Sequence, residues 1–167
     1  MNIDDVLNTV KSTMQAESRL SSITTYHLVD GMIPGVKPCV SISCPKLRYE
    51  DYDSDQDEVH ATLRIYVYLH HIKAEIGEQS IRQLVEEVRY TLLDNQYLDG
   101  LVDTSTVSGV MFESAESQQS QVLHYALIDY EVKYYAPRLR PADIPPPTVD
   151  EIDATLNDET TIINWLD

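Results

Sequence analysis

Asp51, Asp53, Asp55 and Asp57 alternate through the stretch YEDYDSDQDE, residues 49–58, and carboxylates at every second position are how a calcium loop of the EF-hand kind begins. Such a loop also needs a glycine and a bidentate glutamate at fixed later positions. Counted from Asp51 these fall on Gln56 and Thr62, so the pattern fails where it is specific. The histidines, His27, His60, His70, His71 and His124, form no H-E-x-x-H pair, and in a strand His70 and His71 point to opposite faces. Cys39 and Cys44, if they share a strand, sit about 16 Å apart, too far for a disulfide, and a single C-x4-C pair is poor evidence for zinc. With five glycines in the chain there is no phosphate-cradling loop and no nucleophile elbow. Nearly half of the 28 acidic residues lie in the loop at 49–58 or after Arg140, where solvation leaves a carboxyl untuned for acid–base work. The residues thus predict no catalytic group, no cofactor and no metal site.

The elements that would position these groups can be read from periodicity. Ile3, Val6, Leu7, Val10 and Met14 mark one face of a helix over 3–17, with Asn2 as its N-cap. An irregular connection follows to Lys37, with a short strand near 24–29. Cys39 to Cys44 is β-compatible but bounded by Pro38 and Pro45, which predicts a short strand. The loop at 49–58 carries six acids and no base, and reads as a solvated acidic loop. Ala61, Leu63, Ile65, Val67 and Leu69 then alternate with Thr62, Arg64, Tyr66, Tyr68 and His70, the clearest strand in the chain. Ile81, Leu84, Val85, Val88 and Leu92 give a helix over 78–94. The stretches 107–116 and 121–136 form a hairpin about the turn 117–120. Its second strand, about 50 Å long if unbroken, predicts that part of the hairpin projects from the body.

The chain has 167 residues with 28 Asp plus Glu against 12 Lys plus Arg, a formal net charge of −16. Such a protein repels phosphate backbones, which excludes groove binding or wrapping of nucleic acid, whereas DNA would slide past an acidic wall. No apolar run approaches the roughly 18 residues that span a bilayer, and Asp4 and Asp5 stand where a signal peptide would be basic, which predicts a soluble, unsecreted chain. A single domain over 1–140 is expected, followed by an acidic, proline-rich arm over 141–167. There Pro145, Pro146 and Pro147 favour an extended spacer. The arm ends in TTIINWLD, whose Ile162, Ile163, Trp165 and Leu166 predict docking on its own body or on a neighbour.

The fold expected is α+β: a mixed or antiparallel sheet of about four strands, two main helices packed on it, a long projecting β-hairpin and an extended C-terminal arm. The order helix, irregular crossing, proline-bounded strand, acidic loop, long alternating strand, amphipathic helix and closing hairpin resembles the tail terminator proteins of long-tailed bacteriophages, of which the lambda minor tail protein U family is the nearest type. The resemblance is carried by Asp30-Gly31 through Pro38-Cys39-Val40-Ser41-Ile42, by Ala61 to Leu69, by IRQLVEEV at 81–88 and by His124 to Tyr135, and it covers about residues 1–138. It implies a structural virion protein, assembled in the host cytoplasm, that forms a homo-oligomeric, hexameric ring. That ring caps the tail tube at its head-proximal end, stops polymerisation, and joins tail to head through contacts with the tube and the neck or connector proteins. DNA would pass through without specific binding, and no membrane is involved. Ring contacts are then expected from the strand tyrosines Tyr66, Tyr68, Tyr125, Tyr130, Tyr134 and Tyr135 and from Ile162, Ile163, Trp165 and Leu166. Asp51, Asp53, Asp55, Asp57 and Glu58 would supply an acidic channel or loop. A neighbouring neck protein, an acidic binding module that mimics DNA, and a small hydrolase with an unrecognised site are the rival readings.

Overall fold

The computed structural model describes residues 1–31, 38–116 and 121–138. The chain opens with helix α1, Ile3–Ala16, capped as expected by Asn2. Its side chain accepts from the Asp5 amide at 2.9 Å, and the Asp5 carboxylate accepts from the Asn2 amide at 2.9 Å, so two otherwise unpaired helix-end donors are satisfied reciprocally. Val6, Val10 and Met14 form the buried stripe. A one-turn 3-10 helix, Ser18–Leu20, follows, and Arg19 ties this corner to the end of the second helix through Glu17 at 2.8 Å and Asp94 at 2.9 Å.

The sheet has five strands: β1 Thr25–His27, β2 Cys39–Asp51, β3 Gln56–His71, β4 Thr104–Glu116 and β5 Val122–Pro137, in the spatial order β1-β2-β3-β5-β4. β1 pairs parallel with β2, and every other pairing is antiparallel. Helix α2, Ala74–Asp94, connects β3 to β4, and β5 returns between them. The α+β expectation is met by this mixed sheet with two helices on one face. That face is buried along Val40, Ile42, Leu63, Ile65, Val67, Ile128 and Val132, which close a single core with the apolar stripes of the helices. Each such side chain contributes about 1.5–3 kcal/mol when fully buried.

Four boundaries differ from the sequence reading. Pro45 does not end its strand: the register with β3 shifts between Ser43 and Lys46, and the proline sits in that irregularity, where no ladder amide is required of it. β2 therefore continues to Asp51. The acidic stretch is consequently a hairpin rather than a solvated loop, because Tyr49, Glu50 and Asp51 pair with Val59, Glu58 and Asp57. Helix α2 starts at Ala74 instead of 78, since Gly77 occupies the buried stripe one turn before Ile81 and a glycine gives no apolar signal. The closing hairpin does not project: β5 pairs with β3 from Gln56–Pro137 to His71–Val122 and with β4 on its other side, so its length is that of the sheet itself. Cys39 and Cys44 form no disulfide with each other. Among the described residues no helix is long and apolar enough to cross a membrane. The arm 141–167, with Ile162, Ile163, Trp165 and Leu166, and the turn 117–120 lie outside the described residues.

Candidate functional site

Alternation in the four long strands puts one set of side chains against the helices and the other on the opposite sheet face, which is buried at Cys39, Ser41, Ser43 and Tyr68 and opens towards β5 and β4. Tyr66 of β3 lies opposite Leu127 of β5, Arg64 opposite Asp129, and Thr62 opposite Glu131. Tyr66 and Tyr125 are half-buried on this face. The Tyr125 hydroxyl donates to the Glu113 carboxylate of β4, and that bond raises the phenol's pKa. Tyr135 also faces outward, beside Lys133, whose ammonium stands 5.9 Å from the centre of its ring. The remaining expected contact tyrosines are buried. Tyr68 is fully buried, and Tyr130 and Tyr134 point inward among the core residues, Tyr130 donating to Ser105 Oγ at 2.7 Å. Burial pushes Tyr134 up to about 12. These three stabilise the protomer and are not available to a partner, because alternation within β5 turns Tyr130 and Tyr134 towards the core side.

The acidic residues gather at one end of the sheet. Asp53 Oδ1 accepts from the amides of Asp55 and Gln56, both at 2.7 Å, which closes the β2–β3 turn. The guanidinium of Arg138, just past β5, reaches Asp51 and Asp57 at 2.7 Å each, and its amide donates to the Asp55 carbonyl at 2.8 Å. Glu58 is held by His60 at 2.8 Å and by Lys133 at 3.6 Å, and its pKa is lowered chiefly by the His60 hydrogen bond. Lys133 in turn meets Asp103 at 2.7 Å. The expected channel residues thus divide. Asp53 and Asp55 are exposed at the tip, whereas Asp51, Asp57 and Glu58 belong to an ion-pair network that fastens the sheet end. Glu50, Glu58 and His60 bring ligand atoms within 4.8 Å of one another, a geometry able to take a divalent ion, although His60 and Lys133 already engage Glu58.

The two lateral edges of the sheet are unlike. β1 covers β2 only at Cys39–Ser41, and beyond that the β2 edge carries Pro45, Lys46, Arg48, Glu50 and Asp51, the charge and proline that prevent another strand from adding. The β4 edge has no such protection. From Thr104 to Phe112 it contains neither charge nor proline, and its only irregularity is the register shift between Val107 and Gly109. Met111 on the open side is 51% exposed and Phe112 on the helix side is 44% exposed. Beside this edge a groove of about 220 Å³ runs between α2 and β4, lined by Arg89, Tyr90, Leu93 and Val107 among others. Tyr90 and Leu93 are 55% and 66% exposed. Sequence reasoning missed this surface. Its signal was the uncharged run at 104–112 in a chain with so many acids.

No known protein family and no curated protein matches the sequence. Among solved structures, the chain is similar to a component of the virion of a native gene transfer agent particle, at 12% identity and a TM-score of 0.43, covering 78% of this chain and 95% of that one.

Proposed function

We propose that the chain is a structural, non-enzymatic protein of a long-tailed phage virion, and specifically a tail terminator. A ring of its copies would cap the head-proximal end of the tail tube, end tube growth and join the tail to the head or neck. The observation that carries the reading is the asymmetry of the sheet: one edge guarded by charge and proline, the other the strand β4, uncharged from Thr104 to Phe112 and with Met111 and Phe112 exposed. Because the guarded edge does not accept a strand, the open edge would meet a different surface of the next copy, a head-to-tail contact, and head-to-tail contacts that close under rotation make rings. The order of elements, which resembles that of tail terminators, supplies the choice of ring. An acidic surface suits a passage for DNA, because like charge keeps the duplex from sticking.

Light scattering across a protein concentration series, with negative-stain microscopy of the same fractions, tests the reading. Closed rings with a central hole are expected, and the full chain should bind tail-tube ends. A protein that stays monomeric throughout and also fails to form rings on purified tail tubes would overturn it.

A further inference from the structure

We propose that the free edge of β4 is filled by residues 160–166 of a neighbouring copy, which add as a strand and seat Ile163 and Trp165 in the groove between α2 and β4. The inference deepens the ring reading and rests on its claim that copies associate. The edge itself suits an occupant of this sort: among the described residues no strand pairs with its outer side, which carries no charge from Thr104 to Phe112 and is flanked by exposed apolar side chains on both faces of the sheet. On the helix side these are Phe112, Tyr90 and Leu93, and on the open side Met111.

The sequence TTIINWL fits that two-sided edge. In an extended strand Thr161, Ile163 and Trp165 share one face, and Ile162 and Leu166 share the other. Apolar side chains therefore go to both sides, Ile163 and Trp165 to the groove and Ile162 and Leu166 beside Met111. A strand with one polar face would leave half of this edge uncovered. Threonine and isoleucine are also strand formers, so extension costs little.

Two observations assign the segment to a neighbour rather than to its own protomer. The chain leaves the sheet at Pro137 and Arg138, beside Asp51, Asp53, Asp55 and Asp57, and from Pro141 onward the arm carries acidic residues and no base, so the sheet end repels it. Its length points the same way. The free side of its own β4 is about 10 Å from β5, two strand spacings, whereas residues 139–159 extend to about 70 Å. Pro145, Pro146 and Pro147 stiffen that span and oppose a tight return.

Trp165 is the only tryptophan, so its fluorescence in the full chain reports the arm directly. We expect its emission to move to the blue, and its quenching by acrylamide to fall several-fold, as protein concentration rises through the assembly transition. Met111→Lys, at an exposed position, should reverse both changes without altering the fold, since a charge at the edge blocks strand addition. Hydrogen exchange of the 104–112 amides should slow on assembly, and should not slow in a chain truncated after residue 159. Burial of Trp165 that does not depend on concentration would overturn the proposal in favour of a return to the arm's own body. Burial only when tail tubes are added would overturn it in favour of the tube as partner. Rings that form normally with Trp165 exposed would overturn the arm contact and leave the ring reading standing. Concentration-dependent burial without closed rings would sustain the arm contact and overturn the ring.

Discussion

At the scale of single residues, the tightest constraint in the protomer lies between Gly77 and His124. A Cβ at Gly77 would overlap the His124 ring atoms Cδ2 and Nε2 and stand 2.9 Å from His71 Cβ, and His124, 2% exposed, has nowhere to turn. Gly77→Ala gains about 1 kcal/mol in helix propensity, but overpacking of a closed contact costs about 1–3 kcal/mol, so a net loss is expected. It is read as a lower urea midpoint. The same histidine gives the fold a pH dependence. Its Nδ1 pairs with Ser114 Oγ at 2.9 Å, Nε2 is buried without a partner among the described residues, and burial lowers its pKa below the ordinary 6.5. Glu78 pulls the value up and His71 pushes it down, both by less than burial does. The unfolded chain therefore binds this proton more readily, and the stability tied to neutral His124 is whole above pH 6.5 and is lost as pH falls from there through the lower folded value. Urea midpoints measured across that range should decline, and His124→Gln should flatten the decline whatever its own baseline.

At the scale of elements, α1 depends on its first turn. Asn2→Ala removes the side-chain half of the capping box, the acceptor for the Asp5 amide, while the Asn2 amide can still donate to the Asp5 carboxylate, and a loss of about 0.5–2 kcal/mol is expected in thermal or urea unfolding. This cap was legible because Asn2 stands directly before the periodic residues Ile3, Val6 and Leu7. The β2–β3 hairpin was not. Six acids in ten residues repel one another locally, and Arg138 and Lys133, brought in from the other end of the chain, together with Arg48 beside Glu50, offset part of that charge and let the strands pair to their ends. Arg138→Ala should accordingly speed hydrogen exchange of the amides at 50–58 while leaving the global urea midpoint nearly unchanged, since these pairs are solvated.

At the scale of the molecule, a charge of −16 makes self-repulsion the dominant long-range term. Salt weakens the surface ion pairs as well, but each of those is worth only about 0–1 kcal/mol, so screening the net charge should win. Raising sodium chloride from about 10 mM to about 300 mM, where the screening length falls below about 10 Å, should raise the melting temperature of the dilute protein by a few degrees. A fall in melting temperature would mean that the ion pairs at the sheet end outweigh the repulsion.

The periods of the chain were enough to set the helices, the long alternating strand and the α+β class, because a side chain's burial face follows from 3.6 or 2 residues per repeat without knowledge of its neighbours. Leu63, Ile65 and Val67 are each buried where alternation puts them. Strand order was a different matter. The return of β5 between β3 and β4 emerged with the three-dimensional pairing, which turned an expected projection into an interior strand of the sheet and made β4 its edge. The reason is physical: a strand's sequence encodes which face is apolar, whereas which backbone edge is left unpaired depends on the partners it finds. The surface proposed for assembly is such an edge, and it came into view with the fold.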